Sequence, residues 1–281
     1  MIESVDYNKP GKVTRCLSRS GVLGRRTMFW SWYAPRNFGD WLGPYLFEAI
    51  TGKRPVYHDG WSRTRLGCYF TAGSILRKIK LEDDAIVWGS GIMSAEDEVL
   101  RPRRILSVRG PLTLKRLHDL GFDCPDRFGD PGLLLSRVFP QNARAATHRI
   151  GLIPHFVDLP AFRDIDLADG VRLIDVTQPV EKVAAAIASC EATISSSLHG
   201  LIVSHAYGVP SMWCKSVEPI HGDDSKFYDH YGALEVGPPE VAPTSVWRDH
   251  ATVRVLDYAS APSISRCVND LVATCPFGRI R

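Results

Sequence analysis

ATISSSLHGLIVSHAYGVP, residues 192–210, changes its period in the middle. Ala192 to Ser196 form a short run with a β-branched centre and read as a strand, whereas Leu198 to Tyr207 keep apolar residues at helical spacing and stop at Gly208 and Pro210. The junction between them carries three serines and then His199, which falls in the first turn of the helix. Backbone N–H groups at a helix start have no partner within the helix and attract anions. The stretch therefore reads as a strand-to-helix unit with an anion site at its turn.

The same rhythm runs outward in both directions. Apolar runs at TMFWSWY (27–33), GCYFTAG (67–73), AIVWGSG (85–91) and RILSV (104–108) alternate with helical patterns from Trp41 to Ile50 and from Pro111 to Leu120. A polar stretch from Pro140 to Arg149 interrupts the alternation, which resumes with IGLIPHF (150–156), VRLIDVT (171–177) and the opening stretch. Between the last two, Pro179 starts a helix in which Val180, Val183, Ala184 and Ile187 share one face. SMWCK (211–215) reads as another strand, TVRVLDY (252–258) as a late one, and a final helix is expected from Ser263 to Ala273. Alternating strands and helices of this kind build parallel α/β sheets. The expected fold class is α/β, with two Rossmann-like domains and a central cleft: an N-terminal extension of unclear structure over 1–25, domains over 26–140 and 149–260, and a C-terminal helix and tail over 261–281. Ligands of open α/β sheets bind beyond the carboxyl ends of the strands, which places the site in the cleft.

Composition narrows the function. With 281 residues, 44% of them hydrophobic and 23% charged, the chain has the makeup of a globular protein with a sizeable core. No apolar run reaches the roughly 20 residues of a membrane helix, and the first residues lack a secretion signal, so the expected location is cytoplasmic, with a peripheral place at the inner membrane face for a lipid-linked substrate. A net charge of +3 is too small to imply nucleic acid. The seven cysteines form no CxxC pair and no zinc spacing, so neither disulfides nor a structural metal is expected. Basic residues cluster at RKIK (77–80) and RPRRILSVRG (101–110), either as solvated faces or as anion contacts.

Four strand-to-helix junctions carry polar residues beyond the needs of a scaffold. In APRNFGDWLG (34–43), Asp40 is placed to cap a helix beginning at Trp41. WGSGIMS (88–94) has two glycines and lacks the third of a dinucleotide fingerprint. In SVRGPLT (107–113), Arg109 precedes a helix start and is suited to bidentate bonds with phosphate or carboxylate. At the fourth junction the helix dipole disfavours a histidine cation, leaving His199 a neutral imidazole able to accept a proton. His205, six residues on, points elsewhere and reads as a buried core histidine, and HGDD (221–224) reads as a solvated loop.

NFGD (37–40), SVRGPLTLKRLHDLG (107–121), GDPGLLL (129–135), GLIPHFVD (151–158), SSSLHGLIVSHAYGVP (195–210) and KFYDHYG (226–232) occur in this order. In that pattern the chain resembles the polysaccharide pyruvyl transferase family, most of all its short exopolysaccharide-pyruvylating members. The resemblance implies a fold like that of B-type glycosyltransferases. It also implies transfer of the pyruvyl group of phosphoenolpyruvate onto two hydroxyls of a sugar, giving a ketal and releasing phosphate. By the same resemblance the functional histidine is His199, the basic residue before the middle helix is Arg109 and the later lysine is Lys226. Many members carry an arginine two positions before the histidine, where this chain has Ser197, so the anion clamp is expected either to be rebuilt from His155, Lys215 or the arginines at 101–104 or to be weaker.

The resulting candidate site has His199 and Asp40 as acid–base groups and Arg109, Lys226, Asn37, Ser196, Ser197, Gly200 and His155 as substrate contacts. No metal and no cofactor are expected, phosphoenolpyruvate being the donor. The expected partners are a sugar or lipid-linked oligosaccharide acceptor and the membrane surface that presents it, with no nucleic acid. Two alternatives stay open on the residues alone: a B-type glycosyltransferase using a nucleotide sugar, and a non-catalytic module binding glycan or phosphate.

Overall fold

The computed structural model describes residues 37–55, 67–80, 84–141, 146–162, 165–237, 240–247 and 261–280, the strand backbone at 26–29 and 57–58, and positions 13, 16, 17 and 20. Short apolar runs form parallel strands. β1 (Arg26–Phe29), β2 (Tyr57–His58), β3 (Gly67–Phe70), β4 (Asp84–Trp88) and β5 (Arg104–Ser107) make a sheet in the order β2-β1-β3-β4-β5. A second sheet, in the order β7-β6-β8-β9, is built from β6 (His148–Ile153), β7 (Val171–Leu173), β8 (Cys190–Ser195) and β9 (Ser211–Trp213). Every pairing is parallel. The central strands of the second sheet are buried over nearly their whole length, as parallel strands covered on both faces must be. The α/β class expected from the alternation is thus met by two parallel sheets whose strands come from either side of residues 142–145.

The helices follow their apolar faces. α1 spans Phe38–Thr51, α2 Pro111–Asp119, α3 Leu135–Val138, α4 Val180–Ala188, α5 Leu198–Ala206, α6 Ser225–Ala233 and α7 Ser265–Thr274. The expected face of α4 is the buried one, with Val180, Val183, Ala184 and Ile187 each at most 3% exposed. α1 joins the halves: Phe38, Trp41, Leu42 and Tyr45 share one hydrophobic cluster with the buried face of α4. The Phe38 N–H donates to the Val176 carbonyl at 2.8 Å, and the Tyr45 hydroxyl to Glu181 at 2.9 Å. α7 returns to the first sheet, where the Trp88 indole donates to the Leu271 carbonyl at 3.2 Å and Asp270 accepts from the Phe128 N–H at 3.1 Å.

Several boundaries differ from expectation. α1 starts at Phe38 rather than Trp41 because Asn37, not Asp40, is the cap: its side chain accepts from the Gly39 N–H at 3.2 Å, which puts Asp40 inside the first turn. β1 ends at Phe29, with residues 30–33 outside the described residues, and α7 begins two residues later than expected. The late strand at 252–258, the middle of the polar stretch at 142–145 and most of residues 1–25 also lie outside them.

Candidate active site

The carboxyl ends of β3, β4, β6 and β8 open on one cavity of about 290 Å³. Asn37 and Asp40 reach it from the start of α1, Ser197 and His199 from the start of α5, Lys226 from the start of α6, and His155 with Phe156 from the end of β6. Gly73 and Ser74 after β3, and Arg77 and Lys78 on the 3-10 turn Leu76–Lys78, complete its basic side. Larger hollows of about 940 and 590 Å³ lie elsewhere, but among the described residues their linings contain no carboxylate and no imidazole. The acid–base groups are in the smaller one.

His199 is held from several sides. Ser197 caps α5, its hydroxyl accepting from the Gly200 N–H at 3.4 Å, and the Ser195 hydroxyl accepts from the Ser197 N–H at 3.1 Å. Gly39 lies so close that a Cβ there would stand 2.3 Å from His199 Nδ1, which explains the glycine within NFGD. The other ring nitrogen, Nε2, faces Asp130 Oδ2 at 3.7 Å, beyond hydrogen-bond length but within ion-pair range. Asp130 is fully buried; Oδ2 accepts from the Gly73 N–H at 3.2 Å and Oδ1 from the Gly132 N–H at 2.8 Å. Burial by itself would raise this carboxyl, but the facing imidazole, the Gly132 N–H and the Arg109 charge together hold it below the usual carboxylate range.

Asp40 behaves in the opposite way. Burial pushes its carboxyl up to about 7 against the opposing pull of His199, the Asn37 side chain and Lys78. On the basic side, burial, followed by the Arg109 charge, lowers the Lys226 amine to about 8 while Asp224 pulls it back up. The nearest hydrogen-bond acceptor of that amine is the His221 carbonyl, at 3.4 Å. His155 is lowered to about 4 by burial and then by the Lys226 and His199 charges. The cavity thus combines a carboxyl raised toward neutrality, an imidazole at His155 whose cation is disfavoured and an amine lowered toward neutrality.

Other candidates lie outside this cavity. Arg109 is completely buried: Nε pairs with Asp229 at 3.0 Å, Nη1 donates to the Ser74 hydroxyl at 2.5 Å and Nη2 to the Ile92 carbonyl at 2.6 Å. It does not line the cavity but ties α6, the helix that carries Lys226, to the first sheet. Ser196 turns away as well, accepting from the His155 N–H at 2.8 Å and donating to Asp158 at 3.2 Å. Gly200 serves packing, since a Cβ there would meet Ser195 Oγ at 2.3 Å and Ile153 at 2.8 Å. Of the residues expected to rebuild the anion clamp, only His155 lines the cavity: Lys215 pairs with Asp224, Arg103 with Asp84, and Arg101 donates to the Gly121 carbonyl. His205 is buried as expected, 3.0 Å from His230. HGDD is exposed over its first three residues, though His221 also reaches the cavity rim.

Asp130, Arg77, Lys78 and Phe156 are cavity or near-cavity residues that sequence reading did not assign. RKIK and GDPGLLL were visible signals for the first three, but spacing alone did not tell a lining basic residue from a solvated one.

Two parallel sheets whose strand ends share a cavity lined by carboxyl, imidazole and amine side chains define an α/β protein. Residues 52–216, more than half of the chain, match the family described as polysaccharide pyruvyl transferase, and the chain belongs to that family. The chain is 30% identical over 160 residues to a protein of Acanthamoeba polyphaga mimivirus described as uncharacterized; the match covers 54% of this chain and 56% of the relative, so it spans about half the relative's length. No solved structure matches it. Among the described residues no helix is long and apolar enough to cross a membrane, and no group of three or more His, Cys, Asp or Glu is arranged to hold a metal ion.

Proposed function

We propose that the protein is a pyruvyltransferase that moves the pyruvyl group of phosphoenolpyruvate onto two hydroxyls of a sugar, in a polysaccharide of bacterial type or its lipid-linked precursor. The observation that carries this reading is the lining of one cavity: Asp40 and His199 share a space of small-molecule size with Lys226, Lys78 and Arg77. Phosphoenolpyruvate places a phosphate and a carboxylate on one short skeleton. Lys226 and the basic turn at 77–78 match those two anions.

The chemistry needs protons moved in both directions. A proton is added to the methylene carbon, which becomes the methyl group, and the first sugar hydroxyl adds to the neighbouring carbon and loses its proton. The C–O bond to phosphate then breaks, its electrons leaving with phosphate, and the second hydroxyl closes the ketal and loses its proton. One of the two hydroxyl protons balances the methyl group and the other leaves with phosphate. A carboxyl near neutrality, Asp40, is suited to give a proton, and His199 to take one from a hydroxyl and pass it to phosphate. The two sheets and shared cavity support the B-type glycosyltransferase-like architecture, with the described β strands as Rossmann-like halves.

The test is phosphate release from phosphoenolpyruvate across a panel of free and lipid-linked galactosides, glucosides and mannosamine derivatives, with product mass read in parallel. A gain of one pyruvyl ketal on an acceptor is the expected result. Release of a nucleoside diphosphate from a sugar nucleotide, with no reaction of phosphoenolpyruvate, would instead make the protein a glycosyltransferase.

A further inference from the structure

The two ring nitrogens of His199 sit in different surroundings. Nε2 is buried and has no hydrogen-bond partner among the described residues, and the carboxylate it faces is Asp130, 3.7 Å away. The side chain as a whole keeps 12% exposure, none of it at Nε2, so Nδ1 is the nitrogen left to exchange a proton with a ligand. Asp130 does not follow the ring: its two oxygens are anchored by the N–H groups of Gly73 and Gly132, and the residue is 0% exposed. A fixed buried carboxylate opposite one nitrogen selects the tautomer with the proton on that nitrogen.

We propose that Asp130 is a positioning residue that holds a proton on His199 Nε2 and thereby makes Nδ1 the working nitrogen of the site. The inference rests on His199 as the acid–base group of the pyruvyl transfer proposed above. In that reaction the sugar hydroxyl gives its proton to the Nδ1 lone pair, the imidazolium charge that results lies against the Asp130 carboxylate, and Nδ1 returns the proton to the departing phosphate. Apo contacts of this kind tighten when a ligand closes the site. That Asp130 stays below the usual carboxylate range in spite of burial agrees with an anion at this place.

The tautomer is read directly, without donor or acceptor, by nitrogen-15 NMR of histidine-labelled full-length protein at about pH 9, above the titration of free imidazole. His199→Gln identifies the resonances. The expected result is a protonated Nε2 and a bare Nδ1 in the parent, and a shift toward the Nδ1-protonated form in Asp130→Asn. In turnover, Asp130→Asn should lower kcat by about a hundred- to ten-thousand-fold with the KM for phosphoenolpyruvate little changed. A proton on Nδ1 in the parent overturns the proposal, and so do resonances that Asp130→Asn leaves unmoved. If Asp130→Asn does not fold, the parent spectrum decides alone, since a parent with its proton on Nδ1 has no such pairing. A parent showing the expected tautomer but no reaction with phosphoenolpyruvate would refute the pyruvyl-transfer reading while leaving the pairing in place.

Discussion

His199 and Asp40 are neighbours in space whose separation in sequence hides their coupling. Replacing His199 with Gln keeps a hydrogen-bonding side chain and removes proton exchange, so kcat for pyruvyl transfer should fall by about a hundred- to ten-thousand-fold. Steady-state kinetics at saturating acceptor, with a melting curve to verify folding, measure this; a loss below about tenfold would return His199 to a structural part. Asp40 makes a different kind of prediction. Its folded carboxyl titrates at about 7 against an ordinary 3.8, so the folded state binds the proton more tightly than the unfolded one. Stability contributed by the protonated carboxyl is therefore full at low pH and declines as pH rises from about 4 to 7, at up to about 1.4 kcal/mol per unit. That slope is an upper bound, because Asp40 keeps some surface in the cavity. Asp40→Asn should have a higher Tm than the parent above pH 7 and a difference that closes toward pH 4. Equal melting curves at both ends would mean that the carboxyl is not buried as described.

At the scale of elements, the strand-to-helix turns decide what each side chain reaches. The SVRG turn aims Arg109 inward between β4, the loop after β3 and α6, where the Asp229 carboxylate and two neutral acceptors take its N–H groups. Asp229 is itself bound to α2, accepting from the Thr113 N–H at 2.9 Å and from its hydroxyl at 2.6 Å. Arg109→Lys keeps the charge but not the fork, and each charged hydrogen bond lost costs about 1.5–3 kcal/mol. The variant should therefore melt earlier, with α6 and Lys226 loosened, and any rise in the phosphoenolpyruvate KM should accompany the loss of stability. Thermal denaturation alongside donor kinetics measures both. An unchanged Tm with a raised donor KM would make Arg109 a direct contact after all.

For the whole molecule, the site exists only because the two sheets meet. α1 packs on both halves, Leu46 in the core of the first sheet and Trp41 against α4, and the cavity takes side chains from both. A ligand bound there stabilises the folded state by RT ln(1 + [L]/Kd), about 2.7 kcal/mol at a hundred times Kd. Phosphoenolpyruvate should thus raise the Tm. Because the Lys226 amine loses its charge above about 8, the increment should shrink as pH rises through that value, and Lys226→Met should be smaller at all pH and lack the decline. Scanning calorimetry with and without the donor on either side of pH 8 measures this. A constant increment would place the anion contact elsewhere.

Local patterning was enough for much of the fold. The alternation of apolar runs and helical faces determined a parallel α/β chain, the α5 start at Leu198 and the buried face of α4, because each of these is set by neighbours within a few residues. Spacing in SSSLHG was also enough to put His199 in a helix's first turn. Tertiary structure decided what that histidine faces. Asp130 lies 69 positions upstream in a buried turn, Gly39 presses on Nδ1 from another helix start, and Arg109, whose sequence context suits an anion clamp, is paired with Asp229 of its own chain. Whether a guanidinium meets a carboxylate of its own chain or one of a ligand depends on which helix packs over it, and that is a long-range result which local spacing does not contain.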